Sequence, residues 1–100
     1  VCGTALEDTS DANSATIEVG TAASTAGLIA QTTATTIDAN EIWHDATPDA
    51  TIELNSVATV KIVSASVSYK IATNSIRAGT IKFYIRWTPI SSDGNVVMAI

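Results

Sequence analysis

The sequence predicts an all-β fold: a single antiparallel β-sandwich or jelly-roll-like domain over residues 15–100, preceded by an extended acidic N-terminal arm over residues 1–14. Three observations predict it. Apolar and polar residues alternate with a period of two in several stretches, most fully in GTIKFYIRWTPISSDG, residues 79–94. Such stretches recur about every 8–12 residues without a sustained helical period. The composition is 46% hydrophobic and 15% charged, with Thr, Ser and Ala filling most of the rest, which suits pleated surfaces and turns better than a charged disordered chain. A chain of 100 residues is one domain by size and buries a modest core.

Taken in order, VCGTALEDTSDANS has three acids, a glycine and no sustained periodicity, so it reads as the arm. ATIEVG places Ala15, Ile17 and Val19 on one face of a short strand that Gly20 stops. The threonines and Gly27 that follow predict a loop and then a strand over Leu28–Thr36. Ile42–His44 is strand-like, TPDA reads as a turn with Pro48 at its second position, and Ile52 and Leu54 resume the alternation. Residues 58–72 form the longest strand pattern, with Val63, Ala65, Val67, Tyr69 and Ile71 on one face. Val60 and Ile62 fall on the other face, which predicts a bulge or bend. TNSIRAG reads as a loop. Ile81, Phe83, Ile85 and Trp87 then face the core, Lys82, Tyr84, Arg86 and Thr88 face away, and Pro89 ends the strand. SSDGN is a turn leading into a last strand, VVMAI, so the final two strands make a hairpin.

The formal net charge is −5 and Lys and Arg form no cluster, which argues against nucleic acid as a partner. No apolar run approaches the roughly 18 residues of a membrane helix. The chain opens at Val1 without a methionine and reads as a processed product or a fragment. Cys2 is the single cysteine, read as a free thiol near the terminus, with an intermolecular bridge or a lipid attachment point as alternatives.

Chemistry is sparse. His44 is the one histidine; it stands beside Asp45 and near Asp38, Glu41 and Asp49, but the acids lack calcium-loop spacing and zinc needs more His or Cys. No catalytic set, metal site or cofactor is expected. Trp87 lies in line with Phe83 and is expected in the core or an interface. Trp43 is either a packed loop anchor or, with His44, a sugar-stacking contact.

Charge is segregated along the chain. Residues 1–54 carry nine acids and no base, and residues 61–86 carry five bases and no acid. Basic strands of one copy set against the acidic segment of another would give this pattern, since complementary charge guides register in assembly. The candidate interface residues are Tyr84, Arg86 and Lys82, with Val60 and Ile62.

AGTIKFYIRWTPISSDGNVV and IWHDATPDATIEL resemble the corresponding parts of small β-rich virion structural proteins of tailed bacteriophages, over about a third of the chain. The resemblance implies a capsid decoration or cement protein, or a head- or tail-associated fibre component. Such a protein is made in the host cytoplasm, located on the virion, trimeric, and in contact with the major capsid protein or another virion protein. A receptor- or glycan-binding module of a fibre is the alternative.

Overall fold

The computed structural model describes residues 1–9, 13–51 and 61–97. The most strongly patterned short segment, Thr16–Gly20 (β2), lies at the centre of a three-stranded antiparallel sheet. Ile29–Thr33 (β3) pairs with one edge of β2, and Ser68–Ala72 (β4) pairs with the other in unbroken register from Thr16↔Ala72 to Gly20↔Ser68. Alternation works here as expected, because Ala15, Ile17 and Val19 are all buried. Gly20 is required where the chain turns back. A Cβ there would strike the Ser24 carbonyl, and the turn is closed by Thr21 and Ser24 bonding each other's backbone at 2.9 and 3.1 Å.

β3 continues into a 3-10 turn over Ala34–Thr36, and the chain then runs back along Cys2–Asp8 (β1). The Cys2 N–H donates to the Glu41 carbonyl (2.9 Å), and Asn40 N–H donates to Cys2 O (2.8 Å). The other edge of β1 pairs antiparallel with Ile76–Ile81 (β5), making the second sheet. The β1–β5 ladder is irregular, with register shifts at three places. Gly79 occupies one of them at φ +115°, where a Cβ would lie 2.7 Å from the Ala5 carbonyl oxygen. Between β4 and β5 the chain turns a corner at Thr73 (φ 69°), and Thr9 N–H bonds Ser75 O at 3.0 Å.

One core draws on both sheets: Cys2 and Leu6 from β1, Ile17 and Val19 from β2, and Ala15, Ala34, Ile37 and Trp43 from the connections. Every buried residue among the described ones precedes position 44, and none of the described residues from 61 to 97 is buried.

The all-β prediction therefore holds, while several boundaries move. Residues 2–8 are built into a sheet as β1 and do not stand off as an arm; Cys2, Leu6 and Asp8 are buried there. The sequence missed this because Gly3 and Thr4 break the alternation at the irregular register. The expected loop 73–79 contains the start of β5, since β1 needs a partner and Gly79 supplies the bulge. The strand predicted through Thr88 ends at Ile81, where the ladder finishes with Lys82 N–H on Val1 O (2.9 Å). The long strand of 58–72 is reduced to Ser68–Ala72 among the described residues, and Ile62 lies in no strand. Residues 95–97 are not strand, although Gly94 N–H on Ser91 O (3.1 Å) confirms the turn before them. Around TPDA, the bend falls at residues 44–47, inside a lone antiparallel bridge between Ile42 and Asp49. Expectations for Ile52, Leu54, Val60 and residues 98–100 lie outside the described residues.

Candidate interaction surface

β2 and β4 carry one apolar face across their pairing. Ile71 stands opposite Ile17, and Tyr69 stands opposite Val19. Directly paired residues point to the same side of a sheet. The β2 members are buried, but Tyr69 is 61% and Ile71 40% exposed. The core thus continues past β2 onto uncovered surface. Leu6, Ile81 and Phe83 meet Ile17, Tyr69 and Ile71 around an open cleft of about 250 Å³. Tyr84, Ile85, Trp87 and Ile90, which follow Phe83 in the chain, are exposed as well. Exposed apolar side chains gathered at one cleft, as Tyr69, Ile71 and Phe83 are, mark interaction sites.

The cations lie in several places. Lys82 Nζ lies 5.4 Å from the centroid of the Tyr84 ring, within cation–π range. Lys70 is exposed on the opposite side of β4 from Tyr69 and Ile71, across from Glu18, and Arg86 is exposed; neither has an ion pair with a described residue. Arg77 pairs with Glu7 at 3.2 Å, both well exposed. Lys61 Nζ donates to the Gly27 carbonyl.

The acids divide into two groups. Asp8 and Glu18 are buried and serve the fold: Asp8 Oδ2 accepts from Ala15 N–H (2.6 Å), and Glu18 accepts from the Thr25 hydroxyl (2.7 Å) and the Gln31 amide (3.3 Å). Asp38, Glu41, Asp45 and Asp49 line the segment from 38 to 49, which passes β1 on the side away from β5. Asp45 is held below the ordinary carboxylate range, chiefly by the Thr47 N–H (2.8 Å). Asp49 is likewise lowered, first by the Thr51 hydroxyl (2.6 Å) and then by its N–H (2.9 Å).

The structure brings Lys82 and Tyr84 together and leaves Tyr84 71% exposed, with Arg86 and Ile62 exposed as well; Val60 lies outside the described residues. Trp43 is a packed anchor. It is 5% exposed, its indole N–H donates to Thr32 Oγ1 (2.9 Å), and its ring meets Phe83 at 6.4 Å between centroids. His44 Nδ1 is 3.7 Å from Asp45 Oδ2 on the half-exposed bend. Phe83, Ile85 and Trp87, expected inside, are all exposed. Tyr69 and Ile71, which alternation puts on one face with Val63, Ala65 and Val67, form the uncovered margin of the core. The serines alternating with them at 64, 66 and 68 carried no hint of a missing cover.

Among the described residues, no three His, Cys, Asp or Glu side chains are grouped to hold a metal ion. The Cys2 thiol is buried, donating to Thr4 O at 3.1 Å, and burial pushes its pKa up. No helix among the described residues is long and apolar enough to cross a membrane. Comparison with family models, with curated proteins and with solved structures returns no match.

Proposed function

We propose that this chain is a non-enzymatic structural subunit, of the virion type its C-terminal third resembles, that binds a capsid surface or a neighbouring virion protein and stabilises the assembly. The observation that carries this reading is the apolar face of β4 and residues 83–90, which continues the core and has no cover among the described residues. In this reading the two sheets are the halves of a β-sandwich whose open side a partner closes. The geometry offers a surface to be covered, where a catalyst would need convergent groups in an enclosed site. The glycan-binding alternative has lost its contact residue, since a stacking platform needs an open ring and the Trp43 ring is buried.

The test is a comparison of particles assembled with and without the protein. Particles lacking it should lose integrity at lower temperature or on dilution, and a low-resolution difference map should place its density on the particle surface. Equal resistance together with no added density would remove the reading.

A further inference from the structure

We infer that the corner at residues 72–75 is a sprung hinge between the two sheets: a strained turn at Thr73, latched by Thr9, whose release parts the sheets along the cleft between them. The device is the same whatever partner meets the open face.

The strain sits in one residue. Thr73 has φ 69°, a left-handed conformation that a β-branched residue rarely adopts. Asn74 N–H donates to the Ala72 carbonyl at 2.8 Å, so the chain reverses over three residues, the tightest and most strained kind of turn when the central φ is positive. The Thr73 side chain is exposed and makes no hydrogen bond with a described residue, so nothing at Thr73 itself offsets the cost. Such a conformation persists only where its surroundings over-determine it. Here Thr9, the residue that follows β1, does so. Asn74 Oδ1 accepts both the Thr9 hydroxyl (2.7 Å) and the Ser75 N–H (2.9 Å), and the Thr9 N–H donates to the Ser75 carbonyl (3.0 Å).

The corner stands where a hinge would act. β4 ends at Ala72 in the three-stranded sheet, β5 begins at Ile76 in the two-stranded one, and no ladder joins the two sheets among the described residues. The open cleft of about 250 Å³ is the seam between them: Ile17, Tyr69 and Ile71 come from one sheet, and Leu6, Ile76 and Ile81 from the other. Ile71 and Ile76, one from each wall, flank the corner in the chain. A change of backbone angle at Thr73 therefore moves one wall against the other. Hinges are commonly a few residues at the ends of elements that absorb such a change.

Amide exchange of the full chain, read together with the emission of an apolar dye, tests it. Thr9→Val keeps the shape of an exposed side chain and removes the latch. Exchange at Asn74 and Ser75 should rise at least about tenfold and dye emission should rise with it, while the amides of Thr16–Gly20 stay protected. Thr9→Ser keeps the hydroxyl and should behave as the wild type. Thr73→Asn accepts the left-handed conformation with less strain, so adding it to Thr9→Val should bring both readings back toward wild type. Unchanged exchange and emission in Thr9→Val overturn the latch. Opening that Thr73→Asn does not reduce overturns Thr73 as the spring. Equal loss of protection in Thr16–Gly20 overturns the hinge, since the whole fold is then what loosens.

Discussion

Thr32 shows how one side chain ties two parts of the fold together. Its hydroxyl donates to Ala30 O at 2.9 Å and accepts the Trp43 indole N–H, so it fixes the 38–49 segment against β3. Thr32→Val keeps the shape and strands a buried donor, at a cost of about 1–3 kcal/mol. Urea unfolding followed by tryptophan emission should show that loss with an unchanged slope. Cys2 makes a second test at this scale. Its Sγ is covered on both sides, by Thr4 O and by Ile37 O at 3.6 Å, and its thiolate is disfavoured by burial. A thiol reagent should react with the folded chain far more slowly than with the unfolded one. Because the folded pKa is raised, Cys2 lowers stability as pH climbs above its ordinary value near 8.5, where only the unfolded chain sheds the proton. A melting temperature that stayed level through that alkaline range would remove Cys2 from the account.

The elements differ in how they are held. β2 was readable from its alternation because it is central, with the apolar Ile17 and Val19 on one face and a partner on each edge. β1 and β5 were not, because they pair through shifts and a left-handed glycine that break period two. The residues from 82 to 88 misled in the opposite sense: their alternation is the cleanest in the chain, yet no described ladder continues past Lys82. Alternation records a face that is to be buried, and it is silent on whether the same chain buries it. Gly79→Ala tests the β1–β5 pairing. It adds a Cβ against the Ala5 carbonyl and a left-handed penalty, together about 1–3 kcal/mol, and amide exchange should rise first in Cys2–Asp8. The 42–49 loop responds to acid instead. Asp45 and Asp49 have lowered pKa values, so what they contribute is present above the ordinary carboxylate pKa of about 3.9 and is lost as pH falls through their folded values. Thr47 and Thr51 amides should lose protection below that range before the β2 amides do.

At the scale of the whole molecule, cohesion with whatever partner covers the open face should be apolar, with charge setting the register. Exposed ion pairs contribute about 0–1 kcal/mol each. Raising salt from about 0.15 to 1 M shortens the Debye length from about 8 to 3 Å and should weaken binding of the chain to assembled particles only a few-fold. The isolated chain should bind an apolar dye at the Tyr69–Ile71 cleft and raise its emission, and that emission should fall when the chain is bound to assembled particles. The pairing of Cys2–Asp8 with Ile76–Ile81 also has a consequence in time. At about 5–20 residues per second, some four to fifteen seconds of synthesis separate the two strands. Through that interval the first-made strand has no ladder partner, and Leu6 and Cys2 lack the cover of Ile76 and Ile81. This sheet is closed by the later-made of its two strands, so a nascent chain halted before Ile81 keeps Cys2–Asp8 open to misplaced pairing.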